Sequence, residues 1–115
     1  MGSWDYPVGF KAKPKNLEGF LKEQGYQRDR KNVFVSTDGQ VDVFYHSKAT
    51  IANKDEEEVP DWSESGHKII SDMEVTTKNP NSWEEAERLV HEIVKRYDAV
   101  SYEIGLGYFF GKKDI

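Results

Sequence analysis

Asp42, His46, Asp72 and Glu74 are the residues of this sequence whose types and spacing could do chemistry. Asp42 and His46 lie in the run Val41-Asp42-Val43-Phe44-Tyr45-His46, and Asp72 and Glu74 in Ser71-Asp72-Met73-Glu74-Val75. Both runs alternate polar with apolar residues and are rich in β-branched and aromatic types, the pattern of half-buried strands. In a strand, residues i and i+2 stand on one face. Asp42 therefore shares a face with Phe44 and His46, and Asp72 with Glu74. If the two strands lie near each other, the four make a patch of hard oxygen ligands plus an imidazole. Such a patch suits a divalent cation or acid–base work. The same pattern also describes the solvated side of an ordinary antiparallel sheet, and spacing alone leaves the mutual distances open.

Other chemical motifs are missing. There are no cysteines, which removes a disulfide framework, a thiolate zinc site and a cysteine nucleophile. His67 and His91 stand apart from His46, and no His-x3-His pair or His-Glu-x-x-His motif occurs. No serine lies in a Gly-x-Ser-x-Gly elbow. Gly105-Leu106-Gly107-Tyr108-Phe109-Phe110-Gly111 has neither the spacing nor the following helix of a phosphate-binding glycine motif. No catalytic residue and no cofactor are assigned, and the sequence reads as that of a non-enzyme.

The net charge of −5 is unevenly spread. Residues 1–31 hold seven Lys/Arg and four Asp/Glu (+3), whereas residues 32–115 hold nine and seventeen (−8). An acidic body disfavours a nucleic-acid surface, which needs clustered cations. A chain of 115 residues with 37% apolar content suffices for one α+β domain spanning 1–115. No apolar run reaches the ~18 residues of a membrane span, so a soluble, cytoplasmic protein is expected.

The elements that must position these residues begin with a helix after Ser82. Ser82 and Glu85 have the spacing of a capping box. Ala86, Leu89, Val90, Ile93, Val94 and Tyr97 recur at three- and four-residue steps as one apolar stripe. Strands at His67–Thr77 and Val100–Leu106 flank it, and a strand–helix–strand unit of this length predicts two parallel strands. Residues 4–12 read as a weak edge strand because Pro7 interrupts them. Asn16 to Gln24 reads as a short helix stopped by Gly25, and Arg28 to Lys31 as a polar turn. Asn32–Thr37 and Gln40–His46 form a hairpin about Asp38-Gly39. Ser47 to Gly66 is a long acidic loop carrying Asp55-Glu56-Glu57-Glu58, with Trp62 expected to fold back on the body. The Gly105–Lys113 stretch reads as a strand end whose aromatics cover the core or an edge.

The order β-α-β-β-β-α-β predicts a two-layer α+β sandwich, a mostly antiparallel sheet with two helices on one face. The ferredoxin-like split β-α-β, expanded by one strand, is the closest named topology. Strand parity assigns Val33, Val35, Val41, Val43, Tyr45, Ile69, Met73, Val75, Tyr102 and Ile104 to the helix side. It leaves Phe34, Asp42, Phe44, His46, Ile70, Asp72, Glu74, Ser101 and Glu103 on the opposite face. Apolar groups rimmed by polar ones mark interaction sites. The expected function is a small non-enzymatic interaction module, inhibitor-, immunity- or accessory-like in size and charge. Its partner is a protein, one with a basic surface or a second copy of the chain. The expected contacts are Phe34, Asp42, Phe44, His46, Asp72, Glu74, Glu103, Trp62 and the acidic loop. The alternatives are a metal-dependent enzyme or metal-binding domain using His46, Asp42, Asp72 and Glu74, and anion or nucleic-acid contact through Lys11, Lys13, Lys15, Arg28, Arg30 and Lys31.

Overall fold

A computed structural model describes residues 5–49, 62–103 and 107–115. Its elements are β1 (Asp5–Phe10), α1 (Leu17–Glu23), β2 (Tyr26–Arg30), β3 (Val33–Ser36), β4 (Val41–His46), β5 (Ser71–Thr77), α2 (Trp83–Tyr97), β6 (Val100–Glu103) and β7 (Tyr108–Gly111). Short 3-10 turns cover Trp62–Ser65, Pro80–Ser82 and Lys112–Asp114. Among the described residues the chain is an α+β fold: one sheet of order β2-β3-β4-β5-β1-β6-β7, antiparallel at every pairing, with two helices. Among the described residues, no helix is long and apolar enough to cross a membrane. The Asp55–Glu58 run and residues 104–106 lie outside the described residues.

The strand expected at an edge is central. β1 pairs with β5 on one side and β6 on the other. Pro7 is tolerated there because of how β6 meets it. Its carbonyl accepts the Ser101 hydroxyl at 2.8 Å, so that side of Pro7 faces β6. The β1–β6 ladder runs only through Val8–Ser101 and Gly9–Val100, so the missing N–H falls where the ladder has already ended. β5 and β6 are each antiparallel to β1 and therefore parallel to each other, as the strand–helix–strand unit predicted, with β1 inserted between them.

α2 buries the predicted stripe: Ala86, Leu89, Val90, Ile93 and Val94 are fully buried in one cluster with Val8, Phe10, Met73 and Val75 of the sheet. Phe20 and Leu21 of α1 join that cluster, and the Phe20 ring meets Tyr97 of α2 edge-on at 5.6 Å.

The capping box does not form. Ser82 sits at φ −98°, ψ 7° and makes no side-chain cap bond. An N-cap needs the extended conformation to reach the N-terminal N–H groups, and Ser82 is instead the last residue of the 3-10 turn Pro80–Ser82, its N–H bonded to Asn79 O at 2.9 Å. Glu85 is thereby released for a different task. It accepts the Tyr26 hydroxyl at 2.8 Å and a two-pronged contact from Arg88 at 2.8 and 2.7 Å, and Arg88 reaches on to Gln24 Oε1 at 2.8 Å. This network ties α2 to the end of α1 and the start of β2. Arg88 first, then Tyr26, holds the Glu85 carboxyl below its ordinary range.

The face assignments on β3 and β6 are corrected, and so is that of Ile69, which lies over the outward-facing Gly9. Phe34 pairs with Val43, so it points to the helix side and is buried, while Val33 and Val35 face outward. The reason is the 37–40 loop, across which partners have numbers summing to an odd total: an odd residue on β3 shares its face with an even one on β4. On the same grounds Ser101 pairs with Val8 and lies on the helix side, and Glu103 shares its parity, whereas Tyr102 faces outward. The polar turn expected over Arg28–Lys31 is mostly strand. β2 is an edge strand, buried only at Tyr26, with a register irregularity between Arg28 and Arg30. Exposed charge and a bulge are the usual protections of an edge. β7 forms the other edge.

Candidate functional site

The sheet face turned away from the helices has two halves. Over β1, β6 and β7 it is covered by the segment that includes the Trp62–Ser65 turn. Trp62 is 3% exposed; its indole N–H donates to Asp72 Oδ2 at 3.1 Å, and its ring lies 6.0 Å from Phe109, which meets Tyr102 at 4.9 Å. Ile69 lies directly over Gly9: a Cβ at Gly9 would come within 2.9 Å of Ile69 Cγ2. Trp62 thus folds back on the body as expected, and it does so as an internal anchor rather than a contact for a partner. Asp72 is fully buried beneath it.

Over β3, β4 and the near side of β5 the face is half-open. The register places Phe44 between Val33 and Glu74, Asp42 between Val35 and Thr76, and His46 beside Asp72. Val33, Val35, Asp42, Phe44, His46 and Glu74 are all half-buried. His46 Nε2 lies 3.5 Å from Glu74 Oε2, a charge pair only when the imidazole is protonated. Lys78 Nζ lies 3.5 Å from Asp42 Oδ1 at the other end of the strand pair. The outward patch is therefore an apolar strip, Val33–Phe44–Val35, with carboxylates and an imidazole on its β5 side.

The predicted residues divide accordingly. Asp42, Phe44, His46 and Glu74 come together on the half-open face. Phe34 lies beneath the sheet, Asp72 and Trp62 are buried against each other, and Glu103 belongs to the helix side, where burial first, then Glu87 and Glu103, push the Tyr6 hydroxyl up to about 12. Val33 and Val35 were missed; counting the hairpin register would have found them.

The four-residue metal reading fails on distance. Asp42 pairs with Thr76 and His46 with Asp72, so Asp42 and Asp72 stand four residues apart along the ladder. At 3.2–3.4 Å per residue that is about 13 Å, while oxygen ligands to one ion sit about 2.0–2.6 Å from it. Among the described residues, no group of three or more His, Asp or Glu side chains could hold a metal ion. The basic N-terminal third is likewise scattered. Lys11 follows the central strand β1 and meets Asp98 at 3.4 Å, whereas Arg28 and Arg30 lie on edge strand β2 beside Glu18 and Asp29.

The chain matches no protein-family model, no curated protein and no solved structure.

Proposed function

We propose that this protein is a small non-enzymatic interaction module, and that the half-open face over β3, β4 and β5 receives a protein partner with a basic surface. The observation that carries the reading is the register that sets Val33, Phe44 and Val35 outward as one strip with Asp42, His46 and Glu74 alongside. Half-buried apolar groups rimmed by carboxylates suit a contact in which burial gives affinity, while charge sets orientation and on-rate. Phe44 is the proposed anchor, since aromatic residues dominate interface energetics. The finer architecture belongs to the same proposal: a two-layer, ferredoxin-like arrangement in which β5-α2-β6 is the split crossover around β1.

The test is capture of a partner by wild type and by the Asp42→Ala/Glu74→Ala variant, with association measured across salt concentrations. Asp72 stays wild type because it is buried under Trp62. Wild type is expected to associate faster at low salt, and the variant to lose about tenfold in on-rate with a flatter salt dependence. Equal rates and equal salt dependence would remove the face from the interface.

A further inference from the structure

We infer that the chain also carries a small-molecule site, separate from the half-open face: a cleft at the far end of the sheet that takes a phosphorylated planar ligand of the nucleotide class. The cleft has a volume of about 630 Å³ and opens where β1 ends, β6 begins and β7 runs into the Lys112–Asp114 turn. That volume lies within the ~300–1,000 Å³ of ordinary ligand sites.

Its charge favours an anion. Lys11, Lys112 and Lys113 line it against Asp98 and Asp114, so the lining is +1 in a chain whose net charge is −5. Both carboxylates are already engaged, Asp98 with Lys11 at 3.4 Å and Asp114 with the Gly111 N–H at 2.8 Å. Lys112 and Lys113 have no ion-pair partner among the described residues. His67 also lines the cleft and adds a further donor. Two adjacent free ammonium groups with a third cation across the cleft suit several phosphate oxygens better than one carboxylate.

Its apolar part favours a ring. Phe109 and Phe110 line the same cleft. Phe109 is braced by Tyr102 and Trp62, and Phe110 meets His91 edge-on at 5.7 Å. The two rings stand on opposite faces of β7, Phe109 opposite Tyr102 and Phe110 opposite Ser101, so a base stacks on one of them, and a ring braced in this way loses little freedom when it does.

The experiment is calorimetric titration of the full chain with ADP, adenosine and inorganic pyrophosphate, on wild type and on Lys112→Ala/Lys113→Ala. The two lysines are exposed, so their loss leaves the fold intact, which far-UV circular dichroism checks. ADP is expected to bind at least about tenfold more tightly than either fragment, and to weaken about tenfold or more in the variant. No ADP binding at millimolar concentration, or equal binding by the variant, would overturn the site. Pyrophosphate binding as well as ADP would overturn the role of the rings. Because Asp42, Phe44 and Glu74 line no part of the cleft, failure here leaves the partner-binding proposal standing.

Discussion

Replacing Trp62 by Phe should cost this fold a measurable and calculable amount. The indole N–H donates to Asp72 Oδ2 at 3.1 Å, with donor residue and acceptor residue only 3% and 0% exposed. A hydrogen bond to a charged group contributes roughly 1.5–3 kcal/mol, and its loss is felt most where water cannot replace it. Phenylalanine keeps most of the ring that lies against Phe109, so the lost bond dominates the change. The expected destabilisation is about 1.5–3 kcal/mol, a fall in Tm of roughly 6–12 °C at about 4 °C per kcal/mol for a domain of this size. Urea denaturation followed by far-UV circular dichroism suits the test, since the substitution removes a fluorophore. The midpoint should drop with an unchanged m-value. A double-mutant cycle with Asp72→Ala, which removes the acceptor, should return a coupling of about 1 kcal/mol or more. A loss below about 0.5 kcal/mol, with no coupling, would refute the claim that this bond anchors the 62–70 segment over the sheet.

Gly9→Ala should destabilise by about 1–3 kcal/mol through overpacking, because the new Cβ meets Ile69 Cγ2 at 2.9 Å; Ile69→Ala should recover much of that loss, and an additive pair in chemical denaturation would contradict the contact. Glu85→Gln should weaken the Tyr26–Glu85–Arg88 network by about 1 kcal/mol, a figure kept small because the Glu85 side chain is 37% exposed. It should also flatten the acid limb of stability against pH. A carboxyl whose folded pKa is depressed contributes stability above its unfolded pKa, ~4.3, and loses it as pH falls through the folded value. An unchanged acid limb would contradict the network's charge-assisted character.

The alternation of β4 and β5 was legible from sequence, and so was the stripe of α2, because a period of two or of 3.6 states directly which side is buried. The parity of β3 was equally present but needs one more step, the register across the 37–40 loop, which turns Phe34 inward and Val33 and Val35 outward. Other features were not local. β2 shows no alternation because only Tyr26 is buried, so its residues resemble a turn. Pro7 argues for an edge place for β1, and its central place goes with Ser101, ninety-four residues away, supplying the donor for the Pro7 carbonyl. Ser82 and Glu85 had the right spacing for a capping box, yet tertiary partners Tyr26 and Arg88 took the carboxylate. Asp72 resembled Asp42 and Glu74 in sequence, and only the return of Trp62 makes it an internal acceptor. Candidate sites suffer most from such effects, since a polar residue on a strand reads the same whether solvent, a partner or another part of the chain covers it.

The half-open face is most directly tested by placing a photo-crosslinking phenylalanine analogue at position 44, with the exposed α1 position Glu23 as control, and irradiating the protein in its native cell extract. The proposal predicts a discrete adduct with a basic protein from position 44 that weakens with salt, and none from position 23. Adducts from position 23 alone, or from neither position, would contradict it.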